Sequence, residues 1–314
     1  MSISVLRTAG VWWVQAPNGT AVKIATDAGT TRELLADRAA IETAATREGH
    51  VQLDELELLS PVTAPCRVVA QMTNFRSHIE DAGMSPATTP LTFFRKASGS
   101  ISGPHDEVIK PAHVRFLDYE VEIGLVFGKE LPVGTEVSAS NLAEFLAGLV
   151  VTNDVSARDL QLPKTQFYES KSYPTFTPVG PALVLLDALE LERFTDLRLK
   201  LTVNGEVRQD ALVGGDMLFQ PLEALQALTR FQRMDVGDLL LTGTPVGTAL
   251  SAPPKPIEML GSLLPPAVKW KAFFKRQAGN RKYLQEGDVV EASVATDDGA
   301  IDLGRQRTVV RSSR

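Results

Sequence analysis

Residues 116–127 read FLDYEVEIGLVF, and this run constrains the chain more than any other. Side chains of a strand alternate between its two faces. Leu117, Tyr119, Val121, Ile123 and Leu125 then share one face, which calls for an apolar core. Asp118, Glu120 and Glu122 share the other. Carboxylates two residues apart on one face repel each other unless something positive lies between them. Water and lysines serve on a solvated face. A divalent cation serves better, because Mg²⁺, Mn²⁺ and Ca²⁺ prefer hard oxygen ligands. Glu-x-Glu is a weak motif, and spacing alone leaves both readings open.

A third carboxylate adds weight to the metal. Asp154 follows the apolar run AGLVV and precedes SARD, which places it where a strand enters a turn. Functional groups concentrate at such places. Two glutamates from one strand and an aspartate from another make a three-carboxylate cage with open positions. A substrate oxygen entering one of them would meet a Lewis acid. TNFRSHIEDAG offers a base in His78, with Glu80 and Asp81 close behind. A carboxylate paired to imidazole raises its basicity and fixes its tautomer. Alone, the same stretch reads as a loop with a surface histidine. ESKSYPTFTPVGP offers Lys171 among hydroxyls, and LLLTGTPVGTA offers Thr244 and glycines whose amides can approach an oxyanion. Each also fits a plain turn. The chain has no Walker-type phosphate loop, no zinc-spaced Cys/His set and no GxSxG elbow.

Elsewhere the pattern is mostly β, interrupted by short helices. GVWWVQAPNGTAVKI predicts a hairpin turning at Pro17-Asn18-Gly19, and LRLKLTVNGEVRQDALV another with Asn204-Gly205 at its tip. TTRELLADRAAIETAATREG predicts a helix ending at Gly49, and SNLAEFLAGL a helix capped by Ser140. SARDLQ opens a short helix with Ser156 as its cap, and PLEALQALTRFQRM one with Pro221 in its first turn. A Pro-punctuated shift near Pro61 to Pro65 divides a small N-terminal α+β domain, 1–62, from a second domain, 63–314. Residues 251–285 stand apart as an insertion, Pro-rich at first and then basic and aromatic, with Lys269, Lys271, Lys275, Arg276, Arg281 and Lys282. An exposed amphipathic helix is one reading of it. A lid or partner-binding element beside an acidic substrate is the other.

Composition narrows the classes. At 44% hydrophobic and 22% charged, 314 residues support a sizeable core. A net charge of -6 argues against nucleic acid and anionic membranes as general partners. One cysteine, Cys66, allows no internal disulfide and fits a reducing cytoplasm. The start, MSISVLRTAGVWWVQ, carries no signal-peptide pattern, and no apolar run is long enough to span a bilayer. The expectation is a cytoplasmic protein.

Taken in order, MTNFRSHIEDAG, LTFFRKASGSISGP, LDYEVEIGLVFG, VTNDVSARDLQ, SKSYPTFTPVGP, VNGEVRQ, DMLF, GDLLLTGTPVG and EGDVVEASV resemble the fumarylacetoacetate hydrolase family. The similarity covers roughly residues 65–250 and resumes near Glu286. It implies a mixed α+β, β-rich fold built on a rolled mixed sheet with a small N-terminal domain, in a homodimer. It implies Mg²⁺ or Mn²⁺, and in some members Ca²⁺. By position, Glu120, Glu122 and Asp154 match the metal carboxylates, Lys171 the active-site lysine, and His78 the histidine of a catalytic dyad. The dyad's acid falls on Asp81, a shorter side chain than the family's glutamate, with Glu80 beside it. Arg158, Gln161, Thr175 and Thr244 match positions that line or support the pocket, and Asn74 stands where the eukaryotic hydrolase has a fourth metal aspartate. Pro174 replaces an aspartate common after the lysine.

The resemblance implies a metal-dependent hydrolase that cleaves a C–C bond in a 1,3-diketo acid, an acylpyruvate or fumarylpyruvate, through an enolate held by the metal. Such activity belongs to the catabolism of aromatic and related compounds. Decarboxylation, hydration or isomerisation of a 2-oxo acid on the same site is the alternative, and a non-catalytic binding protein a third.

Overall fold

The computed structural model describes residues 2–252 and 264–313. A ten-stranded mixed sheet is its frame. Its order is Val51–Gln52, Thr20–Lys23, Val11–Gln15, Ile3–Thr8, Leu183–Leu185, Leu146–Asn153, Val121–Phe127, Leu239–Leu241, Val68–Met72 and Thr92–Lys96. Leu239–Leu241 and Val68–Met72 run parallel, and the neighbouring pairs are antiparallel. A second sheet joins Glu206–Leu212, Leu197–Val203, Val289–Thr296, Asp302–Ser312 and Val108–Lys110. The architecture is the strand-rich mixed α+β class that the sequence predicts.

The central strand Val121–Phe127 is buried along its whole length. Ile123, Leu125 and Phe127 pack into the core shared with Leu199, Leu201 and Val294 of the second sheet. Val126 faces the opposite core, where Val150, Leu239 and Leu241 meet Leu34 and Ile41 of the N-terminal helices. Gly124 lies on that face too, and a Cβ there would come within 2.6 Å of Val150 and 2.8 Å of Leu239. Only glycine lets those side chains close over the strand. The carboxylate face therefore passes from Glu120 and Glu122 into sealed apolar packing.

The two expected hairpins form. Val11–Gln15 pairs with Thr20–Lys23, and Leu197–Val203 with Glu206–Leu212 around Asn204 and Gly205, whose φ values are 52° and 79°. Strand Ile3–Thr8 pairs with Leu183–Leu185, so the N-terminal hairpin extends the main sheet. Helices are shorter than their patterns suggest. The 30s–40s helix divides into Thr31–Ala36 and Arg38–Ala45 at Asp37. The Ser140 helix shrinks to Leu142–Phe145, with Asn141 at its start, and residues 146–153 become strand. That run lies between two strands of the main sheet, and their ladder outweighs its helical spacing. Ser156 caps no helix. It pairs with Asp118 and donates its hydroxyl to the Asp154 carbonyl at 2.8 Å, and the helix Arg158–Lys164 starts two residues later.

Helix Pro266–Gln277, in the segment 251–285, has no fully buried residue, in line with an exposed helix. Residues 253–263 of that segment lie outside the described residues. Among the described residues no helix is long and apolar enough to cross a membrane.

Candidate metal centre and active site

The carboxylate strand breaks between Leu117–Asp118 and Val121–Phe127. At the break, Glu120 donates its N–H to Asn153 Oδ1 at 2.9 Å and accepts one from Asp154 at 2.8 Å. These bonds lock Glu120 and Asp154 across the two strand ends. One carboxylate oxygen each from Glu120, Glu122 and Asp154 lies within 4.8 Å of the others. All three residues are buried, so the solvated-face reading of the strand fails.

Cations hold these anions together. Lys171 Nζ donates to a Glu120 oxygen and an Asp154 oxygen, each at 2.6 Å. Lys96 Nζ donates to the other Asp154 oxygen and, at 2.9 Å, to the Phe176 carbonyl. Arg158 donates to Glu120, to Gln161 Oε1 at 2.8 Å and to Asp118 at 2.8 Å. Glu122 accepts the Gly243 N–H at 2.7 Å.

Asp118 shares the face but not the role. Its oxygens take N–H bonds from Tyr119, Ala249 and Leu250 at 2.9, 2.7 and 3.1 Å, besides Arg158. It anchors the guanidinium and the loop after the GTP turn.

Burial and charge set the protonation. Burial pushes the Glu122 carboxyl well up, and the neighbouring Asp154 and Glu120 charges push the same way. Burial would also raise Glu120, but Lys171 and Arg158 overcome it and hold its carboxyl far below the usual range. Burial lowers Lys96. It would lower Lys171 too, yet Asp154 and Glu120 keep that ammonium protonated. Burial depresses His78, so its imidazole is neutral at pH 7, within the field of Glu120, Arg158, Asp118 and Lys171.

The predicted residues fall into two groups. Glu120, Glu122, Asp154, Lys171, Arg158 and Gln161 come together, and His78 lies within electrostatic reach of Glu120, Arg158 and Lys171. Its Nδ1 is buried and has no hydrogen-bond partner among the described residues. His78 lies on the helix Arg76–Asp81, and neither Glu80 nor Asp81 bonds to its ring. Glu80 is exposed. Thr244 supports the site from behind: its hydroxyl donates to the Val121 carbonyl and accepts from Gln209, both at 2.8 Å. Thr175 stands apart with φ 69°, accepting the Ile109 N–H at 2.8 Å. Asn74 is occupied by backbone, donating to Phe219 and Thr242 carbonyls at 3.0 and 2.8 Å and accepting the Phe219 N–H. It serves as a brace.

Lys96 and Gln209 went unassigned in the sequence. Lys96 ends FFRK, where a second cation and two aromatics suggest an ordinary strand edge. Its signal was a lysine two residues after Phe94 on the same face of that strand. A cleft of about 500 Å³ lined by Cys66, Arg95, Ser98, Gly99 and Tyr168 reaches Lys96.

The donor set suits a hard divalent cation. Every candidate ligand atom is a carboxylate oxygen, and an oxygen already accepting one hydrogen bond retains a lone pair. The strongly raised Glu122 marks anionic charge that such an ion would relieve.

Comparisons with known proteins place the chain in a family. The family profile described as fumarylacetoacetate (FAA) hydrolase C-terminal matches residues 67–311. The rat (Rattus norvegicus) protein named oxaloacetate tautomerase Fahd2a, mitochondrial, is 34% identical over 201 residues, 64% of this chain and 62% of that protein. This chain thus spans somewhat less than two thirds of that relative. A Mycobacterium abscessus structure described as a probable 2-hydroxyhepta-2,4-diene-1,7-dioate isomerase superposes with a TM-score of 0.75 at 29% identity, covering all of both chains. A fumarylacetoacetate hydrolase structure from Exiguobacterium antarcticum gives 0.69 at 26% identity, again over all of both chains.

Proposed function

The chain belongs to the fumarylacetoacetate hydrolase family, and from that premise we propose that it is a divalent-metal-dependent isomerase that shifts a proton between carbon and oxygen of a small 2-oxo dicarboxylate. Keto–enol exchange of an oxaloacetate-like acid is the simplest such reaction. The observation that carries this reading is a buried carboxylate trio bridged by Lys171, beside a neutral imidazole that no carboxylate engages.

Hydrolysis of a C–C bond needs a water deprotonated and aimed at a carbonyl. That task favours a histidine oriented by an acid. Isomerisation needs only one group that takes a proton from carbon and returns it to oxygen. His78, neutral at pH 7, can do this, and Nδ1 is the atom we assign to carry the proton. Lys171 would donate hydrogen bonds to the oxygen where negative charge develops. Arg158 uses three donors on Asp118, Glu120 and Gln161, and its fork has others for a substrate carboxylate. A divalent cation on Glu120, Glu122 and Asp154 would supply Lewis-acid stabilisation of the charge on the 2-oxo oxygen. The named tautomerase and isomerase relatives support this reading over the hydrolase expected from the sequence.

A C–C hydrolase on the same site is the second reading. Asp81 favours it, because three residues after His78 lies close to one helical turn away.

The test is metal-stripped protein, reloaded with Mg²⁺ or Mn²⁺ and given oxaloacetate as its enol, with absorbance and product mass followed together. The expected result is metal-dependent loss of enol absorbance without change of mass. CO₂ release, or cleavage of an acylpyruvate into pyruvate and a second acid without enol exchange, would overturn the isomerase.

A further inference from the structure

The insertion is a strongly cationic region of a chain whose net charge is -6. From residue 264 to 285 the sequence has no acidic residue, but carries Lys269, Lys271, Lys275, Arg276, Arg281 and Lys282. None of these side chains has an ion-pair partner among the described residues, whereas the partly exposed Arg193, Arg198 and Arg233 are all paired. Concentrated, unneutralised charge of one sign is costly to hold and acts at a distance.

Its place is fixed at both described ends. Ala252 donates its N–H to the Asp81 carbonyl at 3.0 Å, on the helix that carries His78. Helix Pro266–Gln277 returns against the helix that carries Arg158 and Gln161. Phe274 stacks on Phe116 at 5.2 Å, and the Phe116 carbonyl accepts the Arg158 N–H at 2.9 Å. Asn280 donates to the Ala249 carbonyl at 2.8 Å, and the Ala249 N–H binds Asp118 at 2.7 Å. Trp270 and Phe273 pack with Phe274 on one face of the helix. Lys269, Lys271, Lys275 and Arg276 fall on the exposed remainder.

We propose that helix Pro266–Gln277 is a cationic rim that draws dianionic substrates toward the buried carboxylate cluster, and so sets selectivity for dicarboxylates over monocarboxylates. The need is electrostatic. A dianion approaching this chain meets a net negative molecule, and the cations that would receive it, Lys96, Arg158 and Lys171, are buried among carboxylates. A positive rim on the helix that packs against the Arg158 helix opposes that field locally and raises the encounter rate. The proposal rests on the dicarboxylate reading above.

The test is the K269Q/K271Q/K275Q/R276Q variant of the metal-loaded full chain. For a dianionic 2-oxo acid, kcat/KM should fall about tenfold near ~10 mM ionic strength and less than about twofold near ~0.5 M, since exposed charge acts over a Debye length. The kcat should not change, and a monoanionic 2-oxo acid should lose less than about threefold. The variant with Lys269, Lys271 and Lys275 as Arg and Arg276 as Lys should retain wild-type rates. Stopped-flow association of oxalate, an unreactive dianion, should show the same salt-dependent loss. Equal losses at both salt concentrations, or none, would overturn the rim. So would a variant that binds phosphatidylserine vesicles less while both rates stay fixed. Should the fourfold variant misfold, K271Q and K275Q singly should each give about a twofold, salt-dependent loss. Absence of turnover with every 2-oxo acid would reject the proposed function, and oxalate association would then decide the rim alone.

Discussion

Gly243 donates its backbone N–H to Glu122 at 2.7 Å, so the GTP turn acts on the carboxylate strand through one hydrogen bond. Gly243 sits at φ 84°, and an added Cβ would come 2.9 Å from the Asn74 Cβ. Asn74 cannot yield, because three hydrogen bonds tie its amide to the backbone of Phe219 and Thr242. Gly243→Ala should destabilise the protein by about 2 kcal/mol through strain at a left-handed position. It should also weaken Mn²⁺ binding by roughly 10–100-fold, the usual cost of losing a group that orients a ligand. Thermal melts and calorimetric titration read the two effects separately.

Metal should stabilise the wild type. A ligand that binds only the folded state adds about 2.7 kcal/mol at a hundredfold excess over its Kd. Mn²⁺ should therefore raise Tm in a concentration-dependent way. Asp154→Ala should abolish that rise, because it removes one of the three oxygen ligands. An unchanged rise in that variant would remove the cluster from the metal site.

Asp118 should behave differently despite its shared face. Asp118→Asn removes one of the two charges that Arg158 faces and one of two acceptors for three backbone amides. Breaking a buried, hydrogen-bonded ion pair costs about 3–5 kcal/mol. The variant should melt well below wild type yet still gain stability from Mn²⁺. Loss of the metal response without loss of stability would make Asp118 a ligand.

The contrast shows what one strand's sequence can carry. Period-two spacing was enough to put Asp118, Glu120 and Glu122 on one side, because it depends only on local geometry. Their separate roles depend on distant backbone: Ala249 and Leu250 for Asp118, Gly243 for Glu122, Asn153 for Glu120. Lys96 was hidden for the same reason. Pairing of Thr92–Lys96 with Val68–Met72 at the sheet edge fixes its position, and its contact with Asp154 spans 58 residues of sequence. The Ser140 helix misled because helical spacing is local, whereas the ladders on both sides of residues 146–153 are not.

Cys66 offers a chemical check on the cleft beside Lys96. Burial pushes its thiol up to about 12, with the Asp238 charge adding to the shift. At pH 8 the thiolate fraction is then roughly 10³-fold below that of a free cysteine. Iodoacetamide should alkylate the native protein very slowly and the urea-unfolded protein at the ordinary rate. Rapid native alkylation would mean that this thiol is far more open and acidic than its place in the fold implies.

The choice between isomerase and hydrolase turns on the acid behind His78. No hydrogen bond joins the ring to Glu80 or Asp81, and burial, helped by the Arg158 and Lys171 charges, keeps the imidazole neutral. If the ring only moves a proton between carbon and oxygen, the Glu80→Ala/Asp81→Ala variant should lose less than about tenfold in kcat. If it must activate water, loss of its orienting acid should cost roughly 10²–10⁴-fold, the usual size of general-base assistance. His78→Gln should be severe in either case, and Mn²⁺ stabilisation should survive in both variants, because neither removes a carboxylate of the trio. A steep loss in the double variant, with pyruvate and a second acid as wild-type products, would establish Asp81 as the dyad acid. It would then return the site to C–C cleavage, with closure around substrate bringing the acid to the ring.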